Sequence, residues 1–145
     1  HLQARPTHLQ DLHITLIFLG MISAERRACI EAAADGVNMP PCELLLDQVD
    51  YWPGPLTLWC GPSQTPTTLR QGVEDLAAAL RPCGIEPERR PYVPHVTLAR
   101  KATFQPSFRL GEPIVMPIRE FVLVASLMEA PPPRYQVLRR WPCAT

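Results

Sequence analysis

The sequence predicts an α+β fold, in which strand and helix segments alternate within one compact domain. Three observations favour it: short apolar runs with a two-residue period, two helical segments with capping residues, and a four-residue phrase that occurs twice. With 145 residues and 46% hydrophobic composition, the chain can bury one core. We therefore expect a single domain over residues 1–145.

The first half of the chain is typical of a β-α-β-β unit. Ser23 is a predicted N-cap, because its hydroxyl can accept from the free N–H groups of a helix, and Gly36 is the predicted helix end. A Pro-Gly-Pro turn divides the last two strands. The predicted elements are a strand over Leu12–Phe18, a helix over Ala24–Asp35, and strands over Glu43–Trp52 and Leu56–Gly61.

The second half repeats this plan. Thr65 is the predicted N-cap of its helix and Pro66 the first helical residue. An apolar stripe follows, made of Leu69, Val73, Leu76 and Leu80. The segment Phe104–Pro117 is predicted to be irregular. The predicted strands are Val96–Arg100, Glu120–Met128 and Tyr135–Arg139.

Composition and charge narrow the functional class. The sequence contains no apolar run of membrane-spanning length and no signal-peptide pattern, which predicts a cytoplasmic protein. A formal net charge of zero argues against a protein that follows long stretches of nucleic-acid backbone. Residues 1–80 hold 4 Arg and 9 Asp or Glu, whereas residues 81–145 hold 10 Lys or Arg and 5 Glu. The second half could therefore attract a short or terminal phosphate ligand.

The five cysteines form no Cys-x-x-Cys pair. An odd number of scattered cysteines argues against a disulfide framework and against structural zinc. We expect free thiols, most of them buried, and neither a metal nor another cofactor. The residues are Cys29, Cys42, Cys60, Cys83 and Cys143.

The repeated phrase is the strongest indication of function. It reads His13-Ile14-Thr15-Leu16 in the first half and His95-Val96-Thr97-Leu98 in the second. Residues two apart on a strand project from the same face, so each copy offers an imidazole beside a hydroxyl. A single such pair is more often structural, but two copies on apolar strands indicate a shared groove.

Two imidazoles suit displacement at phosphorus. Since the ordinary histidine pKa is near neutrality, one imidazole can accept a proton while the other donates one. Two threonine hydroxyls could meet the charge that develops on the non-bridging oxygens. The motifs are symmetric, so this reasoning does not decide which histidine is the acid. It predicts a phosphoesterase that needs no metal.

Three stretches of the sequence resemble the 2H phosphoesterase superfamily, and more narrowly its RNA 2′,3′-cyclic phosphodiesterase family, also called 2′-5′ RNA ligases. They are Asp11 to Gly20 (DLHITLIFLG), Arg90 to Arg100 (RPYVPHVTLAR) and Arg134 to Trp141 (RYQVLRRW). The sequence Phe18-Leu19-Gly20 and the late Arg-Trp pair favour the narrower family.

The resemblance implies a duplicated, two-lobed fold, with antiparallel sheets facing a central cleft and helices outside. It implies hydrolysis of RNA 2′,3′-cyclic phosphate ends to 2′-phosphates, and possible reversal as 2′-5′ ligation. His13 would donate a proton to the leaving 3′ oxygen, His95 would accept one from water, and Thr15 and Thr97 would hold the phosphate. The expected partner of a monomeric enzyme is an RNA or oligonucleotide with a cyclic end, with tRNA halves as candidates, and no membrane.

Members of this family begin with a further strand and helix before the first motif, whereas the present sequence starts almost at the motif. We expect that this segment has been omitted from the sequence. If it were truly absent, a sheet edge would stay unpaired and prone to association.

Further side chains are candidate substrate contacts. Arg90 and Arg100 flank the second motif and could contact phosphate, although a solvated arginine is as common. Four aromatic residues could stack on a terminal base, although core packing is the commoner outcome for each. They are Phe18, Trp52, Tyr92 and Tyr135.

Two alternatives remain open. The chain could be a non-catalytic RNA-end or nucleotide-binding module that uses the same groove, although the intact histidines and threonines argue against this. It could also be a metallohydrolase, but no His-x-x-x-His pair or acidic cluster supplies a third ligand.

Overall fold

The computed structural model describes residues 3–144, which form seven strands and two α-helices. The strands are β1 (Arg5–Pro6), β2 (Cys42–Trp52), β3 (Thr57–Gly61), β4 (Val96–Arg100), β5 (Phe108–Ile118), β6 (Glu120–Ser126) and β7 (Tyr135–Pro142). The helices are α1 (Ala24–Asp35) and α2 (Thr67–Leu80), with 3-10 helices at Leu9–Asp11 and Arg81–Cys83.

All strand pairs are antiparallel. One sheet has the order β1-β4-β3-β2-β5, and the second consists of β6 and β7. The predicted α+β class with antiparallel sheets is confirmed. None of the described helices is long and apolar enough to cross a membrane.

The two helices lie where the sequence predicts them. For α1 the predicted bounds are confirmed, and the Ser23 hydroxyl accepts a hydrogen bond from the backbone N–H of Arg26 at 3.2 Å. For α2 the predicted start is wrong by one residue, because the extended ψ angle of Pro66, 135°, makes that residue the N-cap. Its carbonyl then accepts from the N–H of Arg70.

The segment Phe104–Pro117, predicted to be irregular, contains strand β5, so that prediction is wrong. A strand at a sheet edge bonds on one side only, and it therefore tolerates prolines that a central strand would exclude. β5 pairs only with β2, and the register shifts between Leu46 and Gln48. This shift leaves room for Gly111 and Pro113 within the strand.

The predicted strand Leu12–Phe18 is not formed as a continuous strand. Its one ladder contact is an isolated antiparallel bridge between Ile14 and Val96. The residues after the bridge pack their side chains against hydrophobic clusters instead of continuing along β4; these residues are Leu16, Ile17 and Leu19.

The core has two hydrophobic clusters that meet at the first motif. One cluster joins both helices to β6 and β7, and includes Ile30, Leu76, Phe121 and Trp141. The other lies between α2 and the five-stranded sheet, and includes Leu44, Leu69, Val73 and Val96. Leu16 and Ile17 contact both clusters. The first motif is therefore held at the junction of the two sheets.

Cys29 and Cys83 form a disulfide, so the prediction of five free thiols is wrong for these two. They are 54 residues apart in sequence, and packing of α1 on the 3-10 helix Arg81–Cys83 brings them together. Arg26 reinforces this contact by donating to the carbonyls of Cys83 and Gly84. Only Cys60 and Cys83 are buried, so the expectation that most are buried is also wrong. The free thiols are Cys42, Cys60 and Cys143.

Candidate active site

The bridge between Ile14 and Val96 sets the two motifs side by side. Continued by one residue in each direction, this antiparallel register places His13 opposite Thr97 and Thr15 opposite His95. Ile14 and Val96 point into the cluster beneath α2. The four motif side chains therefore project from the opposite face, which α2 does not cover.

The register also spaces the two histidines. In that register His13 and His95 would lie on a diagonal of the antiparallel pair, for which neighbouring residues are about 7–8 Å apart. Each histidine would then face a threonine of the other motif.

The two imidazoles are held by equivalent hydrogen bonds. His13 Nδ1 lies 2.6 Å from the carbonyl oxygen of Asp11, and His95 Nδ1 lies 2.9 Å from that of Val93. A carbonyl oxygen can only accept, so Nδ1 carries the proton in both rings. Each Nε2 remains available for proton exchange with a substrate.

Aromatic rings flank both imidazoles. The Tyr135 ring lies 4.6 Å from that of His13, at an interplanar angle of 58°. The Trp52 ring lies 4.6 Å from that of His95 in an edge-on arrangement, and Trp59 packs behind Trp52 at 4.8 Å. Two of the predicted base-stacking residues, Tyr135 and Trp52, thus lie against the histidines and restrict their orientation.

Tyr92 crosses between the two motifs. Its hydroxyl donates to the carbonyl of Thr15 at 3.1 Å, while its ring packs on the cluster beneath the sheet. Burial raises the pKa of this hydroxyl, with a smaller contribution from Cys42. Tyr92 therefore connects the approach to the second motif with the backbone of the first.

We expect Tyr92→Phe to lower the free energy of unfolding by about 1 kcal/mol, because the Thr15 carbonyl loses its donor. We also expect kcat to fall severalfold, since Thr15 is then held less firmly. Urea unfolding and steady-state kinetics would measure both. Tyr51→Phe is the matched control: its hydroxyl donates to the Ala102 carbonyl at 3.3 Å, away from the motifs. A Tyr92→Phe variant with unchanged kcat would instead favour a stacking role, which needs only the ring.

The remaining predicted contacts lie further out. Phe18 is 85% exposed, so its ring is free to meet a ligand. Arg90 is exposed and lies 3.9 Å from Glu88, a separation at which a solvated pair contributes little. Arg100 ends β4 opposite Arg5 and is also exposed. None of these three side chains is shown to touch the motif residues.

Asp11 is a site residue that the sequence reasoning did not single out. Its carboxylate is buried and accepts from the backbone N–H groups of Arg134 and Tyr135, at 2.9 to 3.1 Å. Burial raises the pKa of this carboxyl, but these hydrogen bonds, aided by His8 and His13, outweigh burial and leave the pKa below its ordinary value. An acidic residue two positions before a motif histidine was the available indication.

No group of three potential metal-ligating side chains lies together in the part of the chain that the structure describes. The donor set at the motifs is two imidazoles whose Nδ1 atoms already bond to carbonyls. What the described side chains offer is a pair of proton-exchanging nitrogens beside two hydroxyls.

Comparison with known proteins adds independent findings. A family model for the 2′-5′ RNA ligase superfamily matches residues 2–125. The RNA 2′,3′-cyclic phosphodiesterase of Escherichia coli K12 is 32% identical over 94% of the chain and 78% of its own length. The enzyme of the same name from Geobacillus stearothermophilus is 31% identical over 93% of the chain, which spans 46% of that protein.

Solved structures agree with these matches. The crystal structure of E. coli LigT complexed with 3′-AMP has a TM-score of 0.88 at 31% identity, covering 98% of this chain and 82% of that one. The crystal structure of TT0787 from Thermus thermophilus has a TM-score of 0.76 at 26% identity, covering 96% and 81%.

Proposed function

Because the chain belongs to the 2′-5′ RNA ligase superfamily, we propose that its two motifs hydrolyse RNA 2′,3′-cyclic phosphate ends to 2′-phosphates. The resemblance inferred from the sequence is confirmed, and so is the predicted fold class. The enzyme class rests on three relatives named RNA 2′,3′-cyclic phosphodiesterase, at 31 to 32% identity. In the 2′-5′ ligation of the family name, a 5′-hydroxyl would take the place of water in the same displacement at the cyclic phosphorus.

In the proposed reaction, water attacks the cyclic phosphorus. His95 Nε2 accepts the proton that the water loses, and the bond between phosphorus and the 3′ oxygen breaks. His13 Nε2 donates a proton to that oxygen, which leaves a 3′-hydroxyl and a 2′-phosphate. The Nδ1 bonds to Asp11 and Val93 support these roles, because they orient each Nε2 away from the backbone.

Thr15 and Thr97 are the proposed donors to the phosphate. Negative charge grows on the non-bridging oxygens during the displacement, and a donor already in place stabilises it without reorganisation. The bridge between Ile14 and Val96 supports this role, because an antiparallel register continued from it would put each threonine opposite a histidine. This crosswise register is the single observation that carries the proposal.

The product of a 2′,3′-cyclic mononucleotide tests the function. We expect the purified chain to yield a 2′-phosphate in buffer with excess EDTA, as resolved by chromatography against both monophosphate standards. A 3′-phosphate product would contradict the proposed placement of the leaving group. Loss of turnover in EDTA would favour a metallohydrolase, and binding without turnover would favour an RNA-end binding module.

Three finer proposals concern the setting of the reaction. RNA is the substrate class, and we propose tRNA halves as candidates because metal-independent cleavage of RNA leaves 2′,3′-cyclic ends. We propose a monomer, since one chain supplies both histidines. We propose a cytoplasmic location because RNA is processed there, although a disulfide such as Cys29–Cys83 is uncommon in that compartment.

A further inference from the structure

We infer that Asp11 is a positioning residue that makes the two symmetric motifs unequal and directs His13 toward the role of proton donor. The inference deepens the proposed function and rests on it. Asp11 is 6% exposed, and no Lys or Arg side chain forms an ion pair with it among the described residues.

Backbone groups hold this charge in place. The N–H groups of Arg134 and Tyr135 both donate to the Asp11 carboxylate, across more than 120 residues of sequence. The Arg134 side chain turns away, since its Nε donates to the Ala130 carbonyl. The titratable groups that act on the carboxylate are His8 and His13, and the Tyr135 ring lies against His13. A negative charge satisfied by neutral donors keeps its attraction for a nearby cation.

Asp11 also sets the geometry of His13 from two sides. Its carbonyl accepts from His13 Nδ1, and its own N–H donates to the His8 carbonyl at 2.8 Å, which orients this peptide. Its carboxylate fixes the N–H of Tyr135, whose ring lies against the His13 imidazole. One residue thus determines both the hydrogen bond and the aromatic wall of the first histidine.

The second motif lacks this carboxylate. Val93 occupies the equivalent place, so its carbonyl holds His95 Nδ1 in the same way, but its side chain has no charge. The Asp11 carboxylate is bonded to the N–H of Tyr135, whose ring lies against His13, whereas the surroundings of His95 are the indole rings of Trp52 and Trp59. The acid and the base of a symmetric pair are distinguished by this one residue.

The test follows each histidine directly. Ring C–H signals of 13C-labelled histidine would be titrated by NMR in the wild type and in Asp11→Asn, which removes the charge at nearly constant shape. We expect the His13 signals to titrate at lower pH in Asp11→Asn, with the His95 signals unchanged. The reciprocal Val93→Asp should move only the His95 signals, to higher pH. An unchanged His13 titration in Asp11→Asn would overturn the inference.

Kinetics provide the second measurement. We expect Asp11→Asn to lower kcat about 10-fold with KM within twofold, and to move the alkaline limb of the kcat profile to lower pH. If the Asn variant is unstable, Asp11→Ser replaces it in both measurements, because the serine hydroxyl can still accept one N–H bond.

Asp47→Asn is the matched control, because its carboxylate, on β2, accepts from the N–H and hydroxyl of Ser63. A pH profile that moves equally in this control would overturn the inference. Absence of turnover in the wild type would refute the proposed function instead, while the NMR titrations would still decide the role of Asp11.

Discussion

Replacing His13 or His95 with alanine should lower kcat for a 2′,3′-cyclic nucleotide by roughly 10²- to 10⁴-fold, the range for loss of a positioned acid or base. Each variant removes one Nε2 and leaves the opposite imidazole on its carbonyl. KM should change little, because the proposed phosphate donors Thr15 and Thr97 remain in both variants. Steady-state kinetics, with thermal unfolding to confirm the fold, would measure the effect.

Gln71→Ala is the control for these variants. Gln71 is an exposed residue of α2 whose side-chain amide donates to the Asp75 carboxylate, and it belongs to neither motif. We expect its kcat to stay within about twofold of the wild type. Near-normal hydrolysis by both His13→Ala and His95→Ala would refute paired acid and base catalysis.

A change of leaving group separates the two roles. A phosphodiester that releases nitrophenolate needs no proton on its leaving oxygen, so loss of the acid should matter less. With this substrate, His13→Ala should recover most of its lost turnover, whereas His95→Ala should stay impaired because water must still be activated. Recovery in His95→Ala alone would reverse the assignment.

Gly61→Ala should lower the free energy of unfolding by about 1–3 kcal/mol and reduce kcat by about 10-fold or more. A Cβ at this position would lie 2.8 Å from the carbonyl oxygen of Pro94 and 2.9 Å from the Trp59 ring. The backbone oxygen cannot move without displacing the next residue, which is His95. Urea unfolding and kinetics on the same preparation would measure both effects.

Gly111→Ala is the control for added bulk at a glycine. A Cβ at that position on edge strand β5 meets nothing within 4 Å, so we expect little change in stability and none in kcat. If Gly61→Ala were as stable and as active as this control, the close packing behind His95 would have no role in holding the imidazole.

Local sequence patterns were sufficient to predict both helices and most of the strands. The Ser23 cap and Gly36 set α1 through hydrogen bonds within a few residues, which a sequence displays directly. Strand β4 was predicted with its observed bounds. Strand β5 was missed because its prolines are tolerated only at an edge, and edge position depends on the order of strands in the sheet.

The residues of the candidate site also fall into those that local patterns predict and those that depend on packing. The two His-x-Thr phrases were visible because each needs only the two-residue period of an extended chain. The Cys29–Cys83 disulfide and the contact of Asp11 with Arg134 and Tyr135 were not visible, since each joins residues more than 50 positions apart. Such pairs form when distant parts of the chain pack together, and a single sequence does not show which parts will pack.

The sequence by itself determined the chemical groups of this protein and the α+β class, because these follow from residue type and short spacing, and three of its stretches carried the resemblance to the family. Only the tertiary structure decided that the motifs lie crosswise through the bridge between Ile14 and Val96. It also decided that Asp11 is bonded both to one imidazole and to the backbone of Arg134 and Tyr135, and that indole rings lie beside the other imidazole. The physical reason is that the partners of these groups, such as the N–H groups of Arg134 and Tyr135 on Asp11, come from distant parts of the chain.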